Sequence, residues 1–168
     1  MTQPDFQQIE AEKTQRVGAE TGSRSLLGFE SGGEHWLVDL TAVGEVLPVP
    51  ALAEVPLTKS WFRGIANIRG TLYSVTDLAA FHGADPTPAT MQTRLLLAGP
   101  RSGNVALLVS STQGLKALAT LEVLLLPNGH APVQPWRGER YRDSAGRTWM
   151  HLLLPVLLGA SEFLNIAN

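Results

Sequence analysis

The sequence predicts an all-β protein built from small barrels. Three observations carry that expectation: short apolar runs alternate with polar or small residues, glycine-rich turns separate them at hairpin spacing, and prolines forbid long helices across much of the chain. The 168 residues are 44% hydrophobic and 17% charged, with a formal net charge of −2. Those values fit one ordinary globular domain, or two small units sharing an interface. A chain of this length buries about two-thirds of its unfolded surface, so it folds without covalent or metal staples. Cysteine is absent, which excludes disulfides and every thiol mechanism and agrees with a reducing compartment.

Residues 1–24 hold few apolar side chains (Phe6, Ile9, Val17) and are expected to form a mobile or loosely helical tail. They lack the basic start and apolar centre of a secretory signal, and no stretch reaches the roughly 20 apolar residues of a spanning helix. The folded domain is expected over residues 25–166. Leu27 and Phe29 alternate with small or polar residues, Ser31-Gly32-Gly33-Glu34 supplies a turn, and Trp36, Val38 and Leu40 take one face of a second strand.

Pro48, Pro50 and Pro56 then leave room for only a short helical turn around residues 41–43 and an edge strand near residues 45–47. Residues 65–68 and 72–75 form a second hairpin joined at Arg69-Gly70-Thr71, where glycine accepts a positive φ. Asp77 precedes Leu78-Ala79-Ala80-Phe81 as an N-cap, and Gly83 ends that short helix. Two prolines and a glycine within residues 83–88 disfavour both helix and ladder, which places a subdomain split near residues 83–92.

Beyond the linker, residues 94–98 and 105–109 flank the turn residues 99–104 as a third hairpin. Residues 148–153 read as a late strand after the turn at residues 142–146. Residues 121–126 fit a strand or a buried helix, and their length does not decide between them. Pro155 opens a short apolar helix to Leu158, and Ser161 caps a last turn through Phe163 and Ile166.

Catalytic and metal chemistry finds no pattern to stand on. His35, His82, His130 and His151 lack the i, i+2 or i, i+4 spacing of ligands on one element, and each reads as a surface or boundary residue. No phosphate-cradling glycine loop and no G-x-S-x-G elbow is present. Glu45, Glu54 and Asp77 are the acids embedded in apolar sequence in the first half. Asp77 reads as a helix cap, and Glu45 as either an edge-strand charge or a partner contact. No enzyme and no cofactor is expected.

The run Phe62-Arg63-Gly64-Ile65-Ala66-Asn67-Ile68-Arg69-Gly70-Thr71-Leu72-Tyr73-Ser74-Val75-Thr76-Asp77-Leu78 resembles the central signature of the CheW-like family. That signature has a glycine, an Asn-x-Arg-Gly hairpin and an aspartate in this order. His35-Trp36-Leu37-Val38-Asp39-Leu40-Thr41-Ala42-Val43-Gly44-Glu45-Val46 is similar to the family's preceding strand and turn, and the second half matches more weakly. Trp61, the run from Arg142 to Trp149, and Leu152, Leu158 and Phe163 after it resemble the PilI type, the branch that serves type IV pilus signalling. Ser74 departs from the family, which usually has proline there, and so adds one backbone N–H to the strand.

The resemblance implies two SH3-like, five-stranded barrels packed together. It implies a cytoplasmic, non-catalytic adaptor, associated with receptor arrays, that binds the regulatory domain of a CheA-like histidine kinase and the cytoplasmic tip of a chemoreceptor. It also places Val43, Glu45, Gly64, Asn67, Arg69 and Gly70 around the partner-binding surface. Each has a plainer reading: Gly64 and Gly70 as turn residues, Asn67 as a bond within its own hairpin, Arg69 as a solvated charge. Arginine beside exposed apolar surface is also what binding hot spots are made of.

Two other classes compete. Small barrels also carry bases on aromatic platforms, but a chain with net charge −2 lacks the basic excess that phosphate neutralisation demands. A hydrolase rests only on the presence of acids and histidines, which do not define a site without geometry.

Overall fold

The computed structural model describes residues 24–125 and 133–168. The expected tail at residues 1–23, His130, and Leu126 lie outside the described residues. Among the described residues, twelve strands form in chain order. They are β1 (Ser25–Ser31), β2 (Glu34–Asp39), β3 (Val43–Pro48), β4 (Leu52–Ala53), β5 (Phe62–Ile68) and β6 (Thr71–Asp77) in the first half. In the second half they are β7 (Arg94–Ala98), β8 (Val105–Val109), β9 (Ser111–Ala117), β10 (Glu122–Leu124), β11 (Arg137–Arg142) and β12 (Thr148–Leu152). The described residues also hold three short helices, α1 (Leu78–Phe81) between β6 and β7, and α2 (Leu154–Gly159) and α3 (Ser161–Leu164) after β12.

The strands make two six-stranded sheets, each a small barrel unit of SH3-like type, ordered β10-β11-β12-β2-β1-β9 and β4-β5-β6-β8-β7-β3. The sixth strand in each is a short edge piece, β10 or β4. Written this way, the two orders superimpose: β7-β8 in one plays the part of β1-β2 in the other, and β3–β6 that of β9–β12. The chain is therefore two like halves, and each half lends its opening hairpin to the other's barrel. A parallel pair seals each exchange, β2 with β12 and β6 with β8.

This exchange corrects the expected subdomain split near residues 83–92. The linker separates two sequence halves, but β6 before it and β7 after it lie in one sheet. A turn-rich linker reports where the chain bends and carries no information about which sheet the next strand joins.

Because the exchanged strands are covered on both sides, they are near-continuously apolar. Alternate residues serve alternate cores. Leu27, Phe29, Trp36, Val38, Leu96 and Leu107 face a large core between the sheets, which α2 and α3 close with Leu157 and Phe163. Leu95, Leu97, Ala106 and Leu108 turn the other way and fill the second barrel with Ala66, Ile68 and Val75. Leu26, Leu37, Tyr141 and Trp149 fill the first.

The hairpins at Gly32-Gly33 and Arg69-Gly70 are two-residue turns with positive φ at both central positions, the twist-matched type that favours glycine. Asp77 caps α1 as expected, accepting from the backbone N–H groups of Ala79 and Ala80. Residues 121–126 resolve as a strand over Glu122–Leu124. Two local expectations change. Leu40 leaves the β2 face for a 3-10 turn (Leu40–Ala42) and is exposed. Ser161 does not cap the last helix, whose N-cap position is Ala160 with no side-chain bond.

Candidate partner-binding site

The second barrel curls so that its edge strand β3 faces the β5–β6 turn. At that turn Arg69 holds φ 52° and Gly70 φ 85°, and the Gly70 N–H donates to Asn67 Oδ1 at 2.9 Å. Asn67 thus ties its own hairpin, as its plainer reading has it, while remaining exposed. Glu45 sits on β3 just past a bulge. Arg69 reaches across to it with both fork nitrogens, Nη1 donating to Oε1 at 3.1 Å and Nη2 to Oε2. The hydrogen bonds from Arg69 hold the Glu45 carboxyl below the usual glutamate range, and those to Glu45 raise the guanidinium further.

Both partners stay open to solvent, the side chain of Arg69 at 71% and that of Glu45 at 40%. An exposed pair of this kind contributes little to stability. Its effect is to fix a planar, charged fork at the mouth of the barrel. Leu72, directly opposite Asn67 on β6, is 59% exposed, and Val46 next to Glu45 is 37% exposed. The arrangement is a pre-oriented ion pair with Leu72 exposed just past the turn, while alternation sends Val46 to the other face of β3 from Glu45. Neither leucine nor valine was singled out in the sequence, although Leu72 follows the turn at the parity of the outward face.

The other expected site residues lie elsewhere in depth. Gly64 is buried, at φ 118°, and a Cβ there would stand 2.2 Å from the carbonyl oxygen of Ala53. It is a close-approach glycine that lets β4 lie on β5. Val43 packs partly against the core between the sheets. Ser74, the departure from the family pattern, donates its extra N–H to the Asn104 carbonyl at 2.9 Å.

Asp77 is fully buried and saturated. Besides capping α1, it accepts from the Thr87 N–H at 2.8 Å and the Thr87 hydroxyl at 2.7 Å, and Arg63 approaches at 3.4 Å. His151 corrects its boundary reading: it is 6% exposed and its Nε2 lies 3.0 Å from Asp39 Oδ2. Arg24 bonds the same carboxylate. Burial pushes the Asp39 carboxyl up, but the bonds from His151 and Arg24 outweigh it and hold it at about 2. His82 packs on Trp36 at 5.6 Å between centroids, and burial lowers its pKa. Among the described residues, no group of three or more histidines and acids is placed to hold a metal, and no described helix is long and apolar enough to cross a membrane.

Paired barrels that trade hairpins are the architecture of a CheW-like module. The chain belongs to the CheW-like domain family, matched over residues 25–142. It is 32% identical over 126 residues to Protein PilI of Pseudomonas aeruginosa, covering 68% of this chain and 71% of that protein. It is 29% identical over 90 residues to the probable chemotaxis protein CheW of Rhizobium etli, covering 54% and 58%. The crystal structure of the scaffolding protein TtCheW from Thermoanaerobacter tengcongensis superimposes with a TM-score of 0.65 at 16% identity, covering 77% of this chain and 88% of that one.

Proposed function

We propose that this chain is a non-catalytic adaptor that couples a chemoreceptor's cytoplasmic tip to the regulatory domain of a CheA-like histidine kinase. We place it in the signalling that controls type IV pili, at the cytoplasmic side of receptor arrays. Its likeness to PilI supports the pathway, and family membership supports the adaptor class.

The observation that carries the reading is the exposed Glu45–Arg69 fork, with Leu72 exposed just past the same turn. Asn67 and Gly70 hold that turn in shape. The adaptor works by position: it fixes receptor and kinase relative to one another, so that a change in one biases the other. Calorimetric titration with receptor-tip and kinase regulatory-domain fragments tests this. Both are expected to bind in the micromolar range, and Arg69→Ala is expected to weaken one of them about tenfold. Unchanged affinity for both fragments removes Arg69 from the interface.

A further inference from the structure

From Arg69 at the strapped mouth, β5 leads back to Arg63, six residues and roughly 20 Å away. There the same barrel opens into a separate cleft of about 480 Å³. One wall is the crossing from β3 to β4, with Pro48 and Pro50; the other is the loop before β7, with Met91, and Arg94 at the start of that strand. We propose that this cleft is a docking site for an extended segment of a partner protein carrying a carboxylate beside an apolar side chain.

Charge is the first ground. Arg63 and Arg94 are the only charged residues lining the cleft, although the whole chain has a net charge of −2. Neither arginine is used up by the fold. Arg94 spends Nη1 on the carbonyls of Met91 and Thr93, at 2.7 and 2.9 Å. Arg63 spends Nη1 on Asp77 at 3.4 Å, a carboxylate already satisfied by Thr87 and the α1 backbone. Among the described residues, Nε and Nη2 of both guanidiniums carry no hydrogen bond, and together they suit a carboxylate.

Pre-formation is the second ground. The loop wall has no regular secondary structure, yet side chains lock it. Thr87 bonds Asp77 twice, the Thr93 hydroxyl donates to the Pro88 carbonyl at 2.8 Å, and the Thr90 N–H donates to that hydroxyl at 2.9 Å. Prolines stiffen the facing wall, so little ordering entropy remains to oppose a ligand. Met91, 93% exposed at the lip, is the adaptable kind of side chain that peptide-binding surfaces use.

The lining also decides the occupant. Free phosphate would leave the half-buried Val49 and Leu52 uncovered, and two cations are too few to follow a nucleic-acid backbone. A chain with an apolar residue next to its acid covers both parts.

The test is an NMR amide titration of the full chain with an acetylated, amidated Ala-Leu-Glu-Leu-Ala peptide, run beside its Gln counterpart and inorganic phosphate. The Glu peptide is expected to saturate below about 10 mM, with shifts centred on residues 48–52 and 87–94. The Gln peptide and phosphate are expected to bind about tenfold more weakly or less. Met91→Glu, which changes an exposed side chain only, is expected to weaken the Glu peptide about tenfold, while Arg69→Ala leaves it unchanged. Failure to saturate, equal binding of Glu and Gln peptides, shifts from phosphate alone (an adventitious ion only), or full affinity in Met91→Glu would each overturn the proposal. Because the probe is neither receptor nor kinase, these outcomes are independent of the adaptor reading.

Discussion

Arg69 holds a conformation that its side chain does not favour. A non-glycine residue at φ 52° crowds its Cβ against the following carbonyl, and Asn or Gly is the usual choice at the first position of such a turn. Arg69→Asn is therefore expected to keep or slightly raise the melting temperature while lowering partner affinity, measured by calorimetric melting and titration on one sample. A fall in both would mean that the Glu45 strap holds the barrel together. Asp39 makes the opposite case, a charge whose partners do support the fold. Its folded pKa of about 2 lies below the ordinary carboxylate range, so its contribution is present above about pH 4 and is lost as pH falls toward 2. With its side chain 21% exposed, the contribution is about 1–2 kcal/mol after screening. Urea unfolding between those pH values should show that slope in the native chain and a flatter one in Asp39→Asn.

The second hairpin shows how much of an element is written locally. Alternation and the Arg69-Gly70 turn specify β5 and β6, and the same signals specify β1 with β2 and β7 with β8. β9 escaped notice because its Ser-Thr-Gln-Gly-Leu-Lys-Ala run lies at a sheet edge, mostly half-buried or exposed, and so lacks an apolar face. β11 escaped because arginine and glutamate fill it. Within β5, Gly64 gives backbone clearance for Ala53, which only the folded pairing reveals. Gly64→Ala is expected to cost about 3 kcal/mol or more, since it combines a clash with a backbone conformation that alanine resists. Chemical denaturation measures this, and a loss below about 1 kcal/mol would mean that β4 can simply lift away. Glu45 and Arg69 were each legible through the family resemblance. Their contact was not, because 24 residues separate them and only barrel curvature joins them.

Across the molecule, turn chemistry encodes which strands are neighbours in sequence and says nothing of exchange. The parallel pair of β2 with β12 joins Trp36 to Met150, a partnership that no local signal announces. The consequence is testable by division. Residues 1–88 and 89–168 expressed separately are each expected to lack native structure, because each holds four strands of one barrel and two of the other, whereas mixing them should restore a cooperative transition by circular dichroism. Two halves that fold alone would contradict the exchange. The passages from one barrel to the other are also brief, the 3-10 turn (Leu40–Ala42) from β2 to β3 and the single residue Ser110 from β8 to β9. Neither has slack to take up. With hairpins exchanged and both passages this short, any shift of one barrel against its neighbour is confined to these two joints and must bend strands that the barrels share.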